Sequence, residues 1–150
     1  MKYLFEKAVK DQLVSRINNL KPDTPALWGQ MGVSQMLAHC CVSFEMVYEN
    51  KHPRPNIFAK FLLMAFVKQA VVGPKPYPKN GRTAPQFKIE DQRNFELEQQ
   101  RLIAYIQKTF NLGEGYFDGK HYPSFGRLTK EEWSTLFYKH IDHHLKQFGQ

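Results

Sequence analysis

The chain has little cysteine: of 150 residues only Cys40 and Cys41 are cysteines, and they are neighbours. A disulfide ordinarily joins Cα atoms roughly 5.5 Å apart, farther than adjacent residues stand, so a disulfide-stapled scaffold is excluded. Two reduced thiols fit a reducing compartment, and a cytoplasmic location is expected. Long apolar runs are also missing. The longest, residues 57–72, is broken by Lys60 and Lys68 and falls short of the ~20 residues that cross a bilayer. The opening MKYLFEKAVKDQL is charged throughout, without the apolar stretch of a secretion signal. No membrane partner is therefore expected. Alternating runs of strand length are scarce and no internal repeat is found, which argues against a sheet or a solenoid.

Acidic residues are absent from one long region. Residues 51–89 hold eight lysines and arginines and no aspartate or glutamate, within a chain of net charge +7. Such a field attracts nucleic acid, anionic lipid or a small anionic substrate, and charge alone does not choose among them. A solvated surface with a basic bias explains it equally well. No helix-turn-helix, zinc-finger or single-strand-binding signature accompanies the charge, and the aromatics Phe58, Tyr77 and Phe87 read as core, so no specific nucleic-acid partner is expected.

What is present is apolar content at helical spacing. With 42% hydrophobic and 14% aromatic residues the chain is far from disordered, and its length suits one domain over residues 1–150. Helices are predicted over residues 4–19, 34–48 with Ser34 as N-cap, 56–72, 90–110 and 130–148. The last opens with Thr129-Lys-Glu-Glu132, a capping-box pattern. Proline- and glycine-rich stretches at 71–85 and 111–128 read as crossing connections. Four main helices plus a shorter apolar one give an all-α fold, a four-helix bundle with long crossovers. The apolar helix at 57–72 could pair two copies into a homodimer, and an interfacial membrane role for it is a minor reading.

The stretch YKHIDHHLKQ then raises a chemical question. At about 100° per residue, Trp133, Leu136, Phe137, Ile141 and Phe148 share one face of the last helix, and His140 and His144 fall in the middle of it. His143 lies on the flank, while Thr135, Lys139, Asp142 and Lys146 form the opposite side, read as solvated. Two imidazoles four residues apart are neighbours on one face and can share a divalent ion. Each could also be an ordinary core histidine; two together on one apolar stripe favour metal. A facing helix must complete the set. His39 in QMLAHCCVSFE is a moderate candidate on the flank of its helix, and Cys40, pointing to the core, a weak one.

The segments MGVSQMLAHC and SFGRLTKEEWSTLFYKHIDHHLKQFG resemble the DinB-like (YfiT-like) superfamily of bacterial metalloenzymes, in a branch of unknown function. The resemblance implies a four-helix bundle holding a divalent metal through one histidine of the second helix and an H-x-x-x-H pair of the last. The matching positions are His39, His140 and His144. It also implies chemistry of the kind found in thiol-dependent transferases, with a low-molecular-weight thiol as cosubstrate.

Three histidines leave a coordination position open, as in catalytic sites. The expected activity is therefore that of a metal-dependent transferase or hydrolase, in which a thiol or water is activated to attack a small electrophilic substrate. Zinc or nickel is expected first, with iron or manganese also compatible with such ligands. The residues at 51–88 could draw in an anionic thiol. Weak candidates for acid–base work are His143 and His121, and Arg82 is a weak candidate for holding an anionic substrate. The alternative is a bundle that binds metal or ligand without turnover.

Overall fold

The computed structural model describes residues 2–49 and 51–150. It is all-α apart from one two-stranded ribbon. The frame consists of α1 (Lys7–Asn18), α2 (Val33–Tyr48), α5 (Phe95–Leu112) and α7 (Lys130–Gln147). Between α2 and α5 the chain makes α3 (Ile57–Leu62), a π-helical turn at Leu63–Val67, α4 (Lys68–Val72) and a 3₁₀ turn at Pro85–Phe87. Between α5 and α7 come the short α6 (Glu114–Phe117) and the antiparallel pair β1 (His121–Tyr122) and β2 (Gly126–Arg127). Both α1 and α2 pack on α5 and on α7, which makes a four-helix bundle with two long connections.

The helix ends follow local chemistry. Thr129 accepts from the Glu132 amide, and the Glu132 carboxylate accepts from the Thr129 amide, so the capping box forms as expected. The second helix starts two residues earlier than an N-cap at Ser34 predicts: Gly32 is the N-cap, and its N–H donates to Oε1 of Gln35. The fourth predicted helix begins at Phe95 and not near 90, because the Asn94 side chain accepts the Leu97 amide and caps it there. It ends where Gly113 takes a positive φ of 76°, open to glycine at little cost.

Aromatic packing binds the frame together. The Phe44 ring of α2 stacks on Phe137 of α7 at 4.5 Å and on Tyr105 of α5 at 5.5 Å. Behind it Phe117, Trp133 and Phe137 form a contiguous cluster. A polar clasp between α2 and α5 uses Arg101, which bridges the buried carboxylates of Glu45 and Glu98, while Lys51 and His52 also reach Glu45. A buried carboxylate needs such partners, and together they hold α2 against α5. Cys40 and Cys41 lie unpaired in this core, where burial pushes the Cys41 thiol up to about 12 and raises that of Cys40 as well.

Two readings of side chains are corrected. Lys139, expected on the solvated side of the last helix, is only 3% exposed. Its ammonium donates to the carbonyls of Ala70, Gly73 and Lys75 at 2.7–2.9 Å, because α4 and the loop after it cover that side of α7. Phe58, expected in the core, stands in solvent, as does much of the stretch around it. No helix among the described residues is long and apolar enough to cross a membrane.

Candidate metal centre

Three elements converge on one point. His39 comes from the middle of α2, His140 and His144 from successive turns of α7, and the 3₁₀ turn at Pro85–Phe87 closes over them. The helical spacing that puts His140 and His144 on one face also aims both at α2. His39 is 4% and His144 8% exposed; His140 is partly buried. One nitrogen from each ring lies within 4.8 Å of the others, and Nε2 of His39 and Nε2 of His140 are 2.8 Å apart. Nitrogens at ~2.0–2.1 Å from a tetrahedral ion stand roughly 3.3 Å apart, a separation within this spread.

Hydrogen bonds on the far side of each ring determine what the near side offers. Nδ1 of His39 is 2.8 Å from the carbonyl oxygen of Phe87, an acceptor only, so Nδ1 carries the proton and Nε2 presents a bare lone pair. Nδ1 of His144 is 2.8 Å from Oε1 of Gln147. The Gln147 amide is oriented by its own donation to the Trp28 carbonyl at 2.7 Å, so its oxygen must face His144, and Nε2 of His144 is bare too. Nδ1 of His140 lies 2.8 Å from the Ser43 hydroxyl, which can donate or accept. With Ser43 donating, His140 is protonated at Nε2 and bonds to His39; with Ser43 accepting, Nε2 of His140 is bare and all three lone pairs are available to a cation. The donor set thus fits a divalent ion that favours imidazole, and each histidine has the outer partner such ligands commonly use.

The electrostatics agree. Burial lowers the pKa of all three imidazoles, to about 3 for His144 and well below the ordinary value for His140, and their proximity to one another adds to this for these two. For His39 the Phe87 carbonyl opposes the effect of burial. Neutral imidazoles at neutral pH are the ligating form.

Around the cluster stand aromatic walls. Phe87 packs edge-on to His39 and His140, and Tyr77 packs edge-on to His140 and His143. His143 sits beside His144 with ring centroids 5.0 Å apart, and against Trp28 at 5.9 Å. A cavity of about 140 Å³ is lined by Tyr77 and His143 together with Pro76, Lys139, Asp142 and Lys146. The structure therefore brings His143 to the edge of the cluster and leaves the other weak candidates elsewhere. His121 is on the β-ribbon, bonded to Lys60, and Arg82 is exposed on the loop before Pro85–Phe87. Among the described residues no hydrogen bond joins either to the three histidines. Cys40 is outside the cluster, in the core.

Sequence reasoning missed Ser43 and Gln147 as partners of the ligands. Gln147 had a positional signal, three residues after His144 on the same helix; Ser43 stands four after His39 and so shares its face of α2, but it bonds to His140 across the bundle, which no spacing within one helix reveals. Phe87 contributes a backbone carbonyl, for which no side-chain pattern exists. Neither the curated proteins nor the solved structures searched contain a match to the chain. A family model described as "Protein of unknown function (DUF1569)" matches residues 5–150, and the chain belongs to that family.

Proposed function

We propose that the chain is a divalent-metal-dependent enzyme, related to the DinB-like superfamily that its histidine motifs resemble, which activates a thiol or water for attack on a small electrophilic substrate. The observation that supports this most is the tautomer control at the cluster: Phe87 and Gln147 hold protons on the outer nitrogens of His39 and His144, so the inner lone pairs converge. A divalent cation held by His39, His140 and His144 would supply Lewis acidity and lower the pKa of a thiol or water beside it.

The chain's own residues have distinct parts in this reading. His39, His140 and His144 bind; Ser43 lets His140 change its protonated nitrogen as the site fills. Tyr77 and Phe87 limit the access of water, and His143, beside His144, is the nearest further group able to hold or move a proton. The basic residues of 51–88 draw in an anionic cosubstrate. Transfer to a thiol and hydrolysis are the two reaction classes this arrangement serves, with zinc or nickel the metals that best match three imidazoles.

A second reading, a bundle that holds metal without turnover, is favoured by one feature: among the described residues no carboxylate joins the three histidines in the cluster. The test is metal content of protein purified without nickel resin or chelator, for the wild type, His39→Ala and His144→Ala. About one equivalent in the wild type, lost in both variants, supports the site. Turnover of thiols with electrophiles by the loaded protein then separates the enzyme from the passive binder. A wild type that takes up neither zinc nor nickel on titration rejects both readings.

A further inference from the structure

Of eleven large apolar side chains exposed among the described residues, seven lie between positions 57 and 67. Ile57, Phe58, Phe61, Leu62 and Phe66 form one outward stripe, Ile57 being 89% and Phe66 77% exposed. The first four follow the one-turn spacing of an α-helix. The π turn at Leu63–Val67, in which the Lys68 amide bonds to the Leu63 carbonyl, brings residues five apart to one side and adds Phe66 to Phe61. The three phenylalanines are each about two-thirds exposed or more. At ~150–250 Å² per aromatic side chain they present roughly 300–500 Å² between them, as much as the largest patch on an ordinary monomer before Ile57 and Leu62 are added.

Beside this stripe lies a group of positive charges. Lys60 of α3 donates to Nε2 of His121 at 2.8 Å, and His121 pairs with Arg127 across the β-ribbon. The ribbon is held against the helix by Met64, whose methyl carbon would lie 3.4 Å from a Cβ placed on Gly126. Arg54 completes the group: besides burial, the charges of Lys60, Arg127 and Arg54 lower the pKa of His121. Residues 51–89 themselves contain no aspartate or glutamate.

We infer that residues 57–67 form an interfacial element by which the protein docks on an anionic lipid bilayer, Ile57, Phe58, Phe61, Leu62 and Phe66 entering the acyl boundary while Lys60 and Arg127 meet the lipid phosphates. An apolar face combined with adjacent basic side chains is the combination that binds such surfaces, each part being weak alone. A nucleic acid would use the charge and leave the aliphatic side chains in water. A second copy would cover the apolar stripe, but the segment it would contribute carries the same acid-free charge. The segment is too short to cross the bilayer, so the contact lies in the plane of the surface.

The experiment is sedimentation of the full chain with vesicles of phosphatidylcholine alone and of phosphatidylcholine with an equal part of phosphatidylglycerol, at ~0.1 M salt where surface charges act within about 10 Å. The expected result is at least about tenfold stronger partition onto the anionic vesicles. The triple variant Phe58→Ser/Phe61→Ser/Phe66→Ser should lose partition. Lys60→Glu/Arg127→Glu should lose the preference for anionic lipid. All five side chains lie outside the bundle core, and an unchanged denaturation midpoint confirms that each variant is folded. Failure of the wild type to pellet with either vesicle overturns the proposal, as does equal partition onto both. It is also overturned by a dimer that the triple serine variant dissolves while no vesicle binding occurs, or by retention on nucleic acid without retention on vesicles.

Discussion

Nδ1 of His144 is 2.8 Å from Oε1 of Gln147, one helical turn farther along α7, and the Gln147 amide is anchored in turn to the Trp28 carbonyl. The chain of two hydrogen bonds runs from the connection before α2 to the centre of the histidine cluster. It determines which nitrogen of His144 is free, a property the imidazole cannot set for itself.

Gln147→Ala removes that orientation while leaving all three histidines. Zinc affinity, measured by competition with a chromophoric chelator, is expected to fall about 10- to 100-fold. Affinity equal to that of the wild type would mean that His144 finds its ligating tautomer without help.

Ser43→Ala acts on His140. The hydroxyl 2.8 Å from Nδ1 of His140 can serve as donor when the site is empty and as acceptor when it is filled, and alanine serves as neither. Metal affinity is expected to fall about 10- to 100-fold, the range for loss of an outer partner of a histidine ligand. A nickel or cobalt absorption spectrum of the loaded variant should keep the wild-type band positions if the ligand set is intact. A changed spectrum would show that Ser43 holds the set itself in place.

The metal-free protein should lose stability in mild acid. The folded-state pKa of His144 is depressed to about 3 against an ordinary value of 6.5, chiefly by burial. Between those two values the unfolded chain binds the proton that the folded chain refuses, so stability rises with pH across the window and falls as acid is added. His39 and His140 shift in the same direction. Urea midpoints measured between pH 7.5 and 5 should therefore decline, and the decline should be shallower in His144→Asn. Parallel pH profiles for the two proteins would assign the loss to other groups.

Lys139 holds the loop that carries Tyr77. Burial lowers its pKa to about 8, while the carbonyls of Ala70, Gly73 and Lys75 are aimed at the ammonium, so the charged form is the one present at neutral pH. Lys139→Met keeps much of the volume but leaves three carbonyls without their donor, at an expected cost of about 3 kcal/mol in unfolding free energy. Limited proteolysis should then cut faster between residues 73 and 79. A neutral substitution with an unchanged cleavage pattern would show that the loop is held by other contacts.

Sequence alone determined the main helices and named the three histidines of the candidate site, His140 and His144 from the helical wheel and His39 from the resemblance of its motif. The apolar period of 3.6 residues, the Thr129–Glu132 capping box and the breaks at proline and glycine are local, so the all-α bundle and the inward placement of His140 and His144 could be read from one helix at a time. What depends on neighbours could not. His39 looked like a flank residue of α2 because its own helix contributes most of its apolar face elsewhere, yet α7 and the Pro85–Phe87 turn bury it. Lys139 looked solvated because a helical wheel has one water side, whereas α4 and the loop after it pack on that side of α7 and cover Lys139 while leaving Lys146 exposed. Phe58 looked like core for the opposite reason: an apolar pattern says that a side chain would gain from burial, and only the tertiary structure decides whether anything comes to cover it. The carbonyl of Phe87 and the orientation of Gln147 belong to the same class, since a hydrogen bond between segments distant in sequence exists only after both have been placed.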